Sequence, residues 1–432
     1  MLDIQFIREN PELVQEKSAQ KGYKVDVKKL LELDEQRRKL LTAIEALRAE
    51  RNELTAAAKG SKPSTEQIEK GKALKEKISE TEAQLDKVEP EFTTLYKAIP
   101  NMPLDTVPVG ATEDENVVTK TVGDKPKLDF TPKSDAELGQ ERDFIDKERA
   151  AKVAGARFTY LKGGLVQLQF AIIQFVMDAL TDETVIAQLI KDNDLQLDPK
   201  PFTPVLPPAM VKTEPYEASA RLDAEEVTYK IAQDDLWMNA SAEHSMCTMY
   251  MNETLEEQQL PIRYLGYSTS FRREAGSYGK DTEGIFRMHQ FDKLEMEVFS
   301  TGETGLEEHK LLVAIQEYLV QKLELPYQLL QKCTADIGRP NAQGVDINTW
   351  MPAQAEYRET HTADYMTDYQ ARRLQTKVRR QDGGLELVHT NDATAFALGR
   401  IIKAIMENYQ TKDGKITIPK VLQPYMVGKN EI

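Results

Sequence analysis

Two stretches of apolar residues spaced alternately three and four apart constrain this chain more than any other feature. In the first, Leu30, Leu33, Leu40, Ile44, Leu47 and Leu54 keep the rhythm, and Arg37 and Arg51 fill its two gaps. In the second, Leu74, Ile78, Leu85, Val88, Phe92, Leu95 and Ile99 do the same, with Thr81 as the soft position. A repeat of 3.5 residues puts one apolar stripe on a helix and demands a partner helix to cover it. Between the two lies Lys59-Gly60-Ser61-Lys62-Pro63-Ser64, through which no helix continues, and Ser64 or Thr65 ahead of Glu66 and Gln67 offers a fresh N-cap. The expectation is an antiparallel coiled-coil hairpin with arms on the order of 45 Å long. Ahead of it, Asp3 should cap a single short helix running to about Lys21, with Gly22 near its end.

The exposed face of this hairpin is rich in cations, among them Arg37, Arg38, Arg48, Arg51, Lys59, Lys62, Lys70 and Lys75, with acidic residues interleaved. Two readings stand side by side: a solvated, salt-bridge-laced helix pair, or a lever that lays cations along a phosphate backbone. The formal net charge of −15 over 432 residues excludes a protein that binds nucleic acid over its whole surface, and leaves room for one locally basic element.

At this length two or three domains are expected. A hydrophobic fraction of 40% with 29% charged residues reads as globular. No run approaches the roughly 18 apolar residues that cross a bilayer, and the N-terminus carries neither an export signal nor a transit peptide. No membrane partner is expected. Cys247 and Cys333 are too far apart in sequence for a disulfide framework, which points to a reducing, cytoplasmic setting.

A Pro-rich hinge, Ile99-Pro100-Asn101-Met102-Pro103, ends the hairpin, and Val107-Pro108-Val109-Gly110 with the acidic run after it reads as a linker. From about residue 120 strands and helices mix. An apolar helix is expected over 165 to about 180, strands over 202–206, 262–269, 286–298 and 385–390, and helices over 305–323 and 395–409. Adjacent strands with few intervening helices imply an α+β domain, an antiparallel sheet with helices against it.

The chemistry concentrates in residues 271–295, FRREAGSYGKDTEGIFRMHQFDKLE. The pattern predicts a strand, a loop punctuated by Gly276, Gly279 and Gly284, and a return strand that Arg287 enters. Arginines Arg272 and Arg287 on the two strands would grip a triphosphate from two sides. Phe291 would stack on a base, and Glu295, in step with it, would accept from an ammonium or a hydroxyl. The plain alternative is a hairpin with cross-strand ion pairs and Phe291 in the core. Two further segments add to it. Glu359 and Thr362, in Tyr357-Arg358-Glu359-Thr360-His361-Thr362, offer a carboxylate and a hydroxyl suited to Mg²⁺ with phosphate oxygens, and Gly399-Arg400 sets an arginine at a helix start. His289 and His361 lack companions at ligand spacing, so no zinc is expected.

These segments resemble the three signature motifs of class II aminoacyl-tRNA synthetases. With the hairpin arm, PNMPLDTVPVG, WMPAQAEYRETH, DYQARR and ENYQTKDGKITIPKVLQPYM, the chain is similar over essentially its whole length to seryl-tRNA synthetases. The resemblance implies a tRNA-binding helical domain over 1–105, a linker over 106–125 and a catalytic domain over 126–432. It implies ATP, L-serine and tRNA(Ser) as substrates, with selenocysteine tRNA as a further candidate, Mg²⁺ accompanying ATP, and a homodimer with Pro204 at its interface. Arg272 would hold the α-phosphate and the serine carboxylate, with Glu274 near adenine and Phe291 stacked on it. Arg287 and Arg400 would take the outer phosphates, and Glu359 and Thr362 the Mg²⁺. Glu295 would bind the serine ammonium and hydroxyl with Ser241, Glu243, Asp392 and Thr394, while the arm's cations would grip the long variable arm of the tRNA.

The chain departs from that family around the amino acid. Ser241-Ala242-Glu243 stands for Thr-x-Glu, Asp392 for Asn, and Thr362-Ala363-Asp364 for Ser-Cys-Ser. Tyr216-Glu217-Ala218-Ser219-Ala220-Arg221-Leu222-Asp223 replaces a Gly-Thr-Gly-Gln-Leu-Pro loop. These departures leave a second reading open: a paralogue that keeps the ATP site and regulates, binds, or activates another small amino acid. The retained arm argues against relatives that load carrier proteins, since those dispense with it.

Overall fold

The computed structural model describes residues 1–57, 64–222, 227–274 and 283–432. It divides into two compact units, Met1–Met102 and Pro103–Ile432.

The first unit is helical. Asp3 caps α1 (Ile4–Glu9) by accepting from the Gln5 N–H at 2.7 Å. The single helix expected up to Lys21 is two, because Pro11 has no N–H to extend the ladder and instead starts α2 (Pro11–Gln20). Gly22, at φ +77, follows that helix's end. The two heptad segments are α3 (Val27–Ala57) and α4 (Thr65–Ala98). Ser64 is the N-cap, in a capping box with Gln67. Leu30, Leu33 and Ile44 on α3, and Leu74, Ile78 and Phe92 on α4, are buried along the seam. The helices run antiparallel, as cross-pairs Arg37–Glu89 (2.7 Å), Arg48–Glu82 (2.8 Å) and Lys70–Glu50 (3.0 Å) require. The expected break at Lys59 to Pro63 lies outside the described residues.

The second unit is built on an eight-stranded sheet. Its strands are β1 (Val117–Val122), β2 (Thr203–Val205), β3 (Ile262–Phe271), β4 (Gln290–Ser300), β5 (Tyr327–Gln331), β6 (Gln343–Met351), β7 (Glu356–Thr367) and β8 (His389–Ala397). Their order across the sheet is β1-β5-β6-β7-β8-β4-β3-β2, antiparallel throughout except where β2 runs parallel to β3. Strand β1 falls in the stretch 106–125 expected to be a linker; residues 117–122 there form the sheet's edge. The return strand begins at Gln290, not at 286, so Arg287 sits in the loop before it. The strand expected over 385–390 is two short pieces, Leu385–Leu387 and β8, and β8 runs on to Ala397. The final helix therefore starts at Leu398, not 395.

One face of the sheet is covered by α5 (Gly164–Thr181), α6 (Gly305–Lys322) and α7 (Leu398–Asn408). Leu294, Met296 and Val298 of β4 turn into this core with Leu168, Ile172 and Val176 of α5 and Leu312, Ile315 and Leu319 of α6. Contrary to the sequence expectation, α5 is long and apolar enough to cross a membrane, alone in this among the described residues. Its apolar side is instead spent on the core: Leu165, Leu168, Ile172, Val176 and Leu180 are fully buried.

A buried ion pair ties sheet to helix. Arg263 on β3 donates to both carboxylate oxygens of Glu308 on α6, at 2.9 and 2.8 Å, and its remaining nitrogen reaches the Asp198 and Lys200 carbonyls. Both side chains are at most 1% exposed. Replacing Arg263 with Met should destabilise the unit by about 3–5 kcal/mol, since Glu308 is left charged and alone in the core. Denaturant unfolding of the variant measures this; a midpoint unchanged from wild type would show that the pair carries no such weight.

Candidate active site

The open face of the sheet carries a cleft. Alternation along β4 sends Phe291, Lys293 and Glu295 to this face while Leu294 and Met296 go to the core, and the first three line the cleft. From the strand after it in space, β8, come Asp392 and Thr394; from β7, Glu359, Thr362 and Asp364; from the start of α7, Arg400. Arg272, Glu274 and Arg287 close it from the hairpin loop.

Register fixes these positions. Phe291 faces Ser270 and Glu295 faces Gly266 across the β3–β4 ladder. Between β4 and β8 the register shifts by one residue, so that Leu294 faces Phe396 but Glu295 faces Thr394. Beside the shift the β7–β8 ladder stops at Ala363 and Ala393. Gln316 from α6 donates there to the carbonyls of Thr362 (2.9 Å) and Thr394 (2.8 Å), meeting acceptors that the ladder leaves open.

At the outer end the arginines sit on carboxylates. Arg287 is 2.7 Å from Glu274, and Arg400 is 2.7 Å from Glu359. The guanidinium of Arg272 lies 5.3 Å above the Phe291 ring and donates to the Ala240 carbonyl at 3.1 Å. Crowding in the cleft works against ionisation of Glu359, but Arg400 and Lys332 outweigh it and hold its carboxyl at about 2. The Thr362 hydroxyl donates to Asp346 at 2.8 Å, and its lone pairs stay available. An ionised carboxylate with a hydroxyl nearby is an oxygen donor set that fits a hard cation such as Mg²⁺.

The inner end is a charged pocket closed to solvent. Lys293 contacts Glu295, donates to Ser241 Oγ at 3.0 Å and lies 3.8 Å from Glu243. Ser241 Oγ is 3.0 Å from Glu243 and 3.3 Å from Glu295. Burial pushes the Glu295 carboxyl up to about 7, with Lys293 opposing and Glu243 adding to the rise. Glu243 goes the other way: against burial, Arg221 and Lys293 hold it well below the usual range. Oxygens of Glu243, Glu295 and Asp392 lie within 4.8 Å of one another, which is metal-ligand spacing, but Lys293 and Arg221 already stand among them.

The expected ATP- and serine-site residues thus gather in one cleft, with Ser241 behind its lining, bonded to Glu243 and Glu295. Pro204 lies exposed on the edge strand β2. On the arm, Arg37, Arg48 and Lys70 are paired across the hairpin and Arg38 is 3.2 Å from Asp34. Arg51 and Lys75 are exposed and make no ion pair among the described residues. Lys59, Lys62, Gly276 and Gly279 lie outside the described residues. Burial drops His361 to about 3, so its ring is neutral, bonded to Thr360 at 2.8 Å and packed on Phe396. His289 bonds the Arg272 carbonyl at 2.8 Å. Sequence reasoning passed over Lys293, although its place midway between Phe291 and Glu295 in an alternating strand was signal enough. It gave no role to Arg221, although the segment 216–223 that carries it stood out as a departure around the amino acid.

A cleft on an antiparallel sheet, with arginines from a hairpin loop and a helix start, defines the core of a class II aminoacyl-tRNA synthetase. Residues 228–409 match the family of tRNA synthetase class II core domains (G, H, P, S and T), and residues 1–103 match the seryl-tRNA synthetase N-terminal domain. The chain is 39% identical over 435 residues to a serine–tRNA ligase of Exiguobacterium sibiricum, covering 99% of each. It is 35% identical to that of Nitrosopumilus maritimus, covering 100% of each. The crystal structure of seryl-tRNA synthetase from Pyrococcus horikoshii complexed with ATP superposes with a TM-score of 0.87 at 36% identity, over 100% of this chain and 99% of that one. The chain belongs to the seryl-tRNA synthetase family of aminoacyl-tRNA ligases.

The shifted carboxyl gives a direct check. Glu295 should titrate near 7, seen as a carboxyl signal absent from Glu295→Gln, and a midpoint near the ordinary 4.5 would contradict the burial argument. Because the folded state holds this proton more tightly, the group's contribution to stability is full below about 4.5 and is lost as pH rises through about 7.

Proposed function

We propose that the chain activates L-serine with ATP and transfers the seryl group to the 3′ end of tRNA(Ser). What supports this most is that Arg272, Glu295, Glu359 and Arg400, from four separate segments, line one cleft in a chain that matches serine–tRNA ligases from end to end. In the first step a serine carboxylate oxygen attacks the α-phosphorus of ATP; that P–O bond forms as the bond to pyrophosphate breaks. In the second, a ribose hydroxyl of the terminal tRNA nucleotide attacks the seryl carbonyl, and AMP leaves with the bond electrons.

Phe291 stacks on adenine and Glu274 stands near it. Arg272, fixed between the Ala240 carbonyl and the Phe291 ring, meets both the α-phosphate and the attacking carboxylate, which aligns the reacting atoms. Arg287 and Arg400 exchange Glu274 and Glu359 for the outer phosphates; a charge-assisted pair is traded for another of the same kind. Glu359 and Thr362 would hold Mg²⁺, which when bound neutralises charge on the phosphate oxygens. Glu295 and Glu243 receive the serine ammonium, and Ser241, Asp392 and Thr394 surround its side chain. Catalysis comes from positioning and from charge fixed in place before the reaction.

The coiled-coil arm is the tRNA lever of the helical domain, and its unpaired Arg51 and Lys75 meet phosphates directly. Arg37, Arg38, Arg48 and Lys70 do so at the expense of surface ion pairs worth little in water. Selenocysteine tRNA, with a similar long arm, is a further substrate by the same logic. A second copy joins at the edge of the sheet near Pro204, and the free, buried Cys247 and Cys333 accord with a cytoplasmic enzyme.

Serine-dependent ATP–pyrophosphate exchange tests the reading: pure protein should catalyse it, and Glu295→Ala should abolish it. Exchange that survives Glu295→Ala would refute the pocket assignment. Deletion of residues 30–99 should leave exchange largely intact and remove tRNA charging; charging that persists in the truncated protein would mean that the arm does not bind the tRNA.

A further inference from the structure

Arg221 lies at the inner end of the cleft, and none of the roles above employs it. Its side chain is 15% exposed and contacts Asp392 Oδ2, with Glu243 Oε1 at 3.6 Å and Asp364 Oδ2 at 3.7 Å. Asp364 faces Asp392 across the β7–β8 ladder, and Glu297 faces Asp392 across the β8–β4 ladder. Three carboxyls thus stand in one row on three adjacent strands, with Glu295 and Glu243 beside them. Among the described residues, Lys293 and Arg221 are the lysine and arginine ion-paired with this group, and they divide the work: Lys293 takes Glu295, and Arg221 takes Asp392.

Glu297 is fully buried, and neither of its oxygens has a hydrogen-bond partner among the described residues. Burial and the surrounding carboxylates push its carboxyl and that of Asp392 well above the usual range, and Arg221 opposes the rise at each. Arg221 is the one cation in contact with Asp392 among the described residues. The cluster also holds unspent capacity: among the described residues, buried Arg221 Nε and Asp364 Oδ1 have no hydrogen-bond partner, Nε standing 3.6 Å from Glu243. Buried polar groups are almost always satisfied, and open ones in a substrate pocket mark where a ligand completes the set.

We propose that Arg221 is a positioning and specificity-determining residue of the amino-acid pocket: it fixes Asp392 and Glu243 as the wall that reads the substrate's side-chain hydroxyl. This inference rests on the serine-activating function proposed above. A wall of fixed, buried polar groups discriminates strongly, because a substrate without the hydroxyl leaves them unpaired. Alanine would then be rejected by the same contacts that accept serine. Without Arg221 the Asp392 carboxyl stands uncompensated in the pocket and is free to turn away.

Exchange driven by serine and by alanine, measured on Arg221→Met, Asp392→Asn and the double variant, tests this. Arg221→Met should raise the KM for serine about tenfold or more, and lower the serine-to-alanine ratio of kcat/KM by about as much, as loss of one member of a buried charge pair does. The KM for ATP should stay within about twofold, since its contacts lie at the other end of the cleft. The double variant should recover part of the loss, because the carboxylate in direct contact with Arg221 is removed together with it, and Arg221→Lys should fall between Met and wild type. A serine KM unchanged in Arg221→Met, an ATP KM that rises in step with it, or losses that simply add in the double variant would each overturn the inference. A wild type that shows no serine-dependent exchange overturns the functional reading and this inference together. A wild type active on serine and matched by Arg221→Met overturns this inference alone.

Discussion

The hydrogen-bonded register of β4 against β3 and β8 places nearly every polar group of the cleft. Along β4, Leu294, Met296 and Val298 go to the core while Phe291, Lys293 and Glu295 go to the cleft, and a slip of one residue would exchange the two sets. Turning Lys293 and Glu295 into the apolar core and Leu294, Met296 and Val298 out of it is so unfavourable that the register has no competitor. The shift between Leu294 and Glu295 and the Gln316 clamp on Thr362 and Thr394 then set which residues of β7 and β8 meet Glu295.

A site built from so much buried charge survives because the charges are matched locally. Arg263–Glu308 joins β3 to α6 beneath the sheet. Lys403, at 2.7 Å from Asp135 and 2.6 Å from Glu407, does the same behind the hairpin loop, where Asp135 also accepts from the Ile285 N–H at 2.7 Å. Within the pocket Lys293 and Arg221 perform this duty for Glu295, Glu243 and Asp392. Such pairs add little net stability over apolar packing, and what they supply is fixed orientation, which a site that must align a carboxylate with a phosphorus atom needs.

The heptad spacing located α3 and α4 because a coiled-coil seam is local in sequence, and the capping box at Ser64 marked where the second arm starts. A single helix up to Lys21 does not form because Pro11 starts a second one, and β8 runs beyond 390 because an apolar run such as Ala395–Phe396–Ala397 suits a strand end or a helix start equally well. The cleft residues Arg272, Phe291, Glu295, Glu359 and Arg400 were legible as chemistry from motif and resemblance. Which carboxylate each outer arginine meets was not, because Arg287–Glu274 and Arg400–Glu359 are contacts between loops and strands that spacing cannot rank.

By itself the sequence determined the helical arm, the antiparallel sheet domain and the presence of a nucleotide site, all of which follow from periodicity and from residues close together in the chain. It also registered Asp364 and Asp392 as departures from the family pattern. Only the tertiary structure decided what they do. Residues 221, 243, 364 and 392 come from a loop, a short helix and two strands, and charge neutralisation among them depends on distances of a few ångströms that no one-dimensional spacing encodes. The two aspartates that look like excess negative charge in the sequence are, once folded, the partners of Arg221.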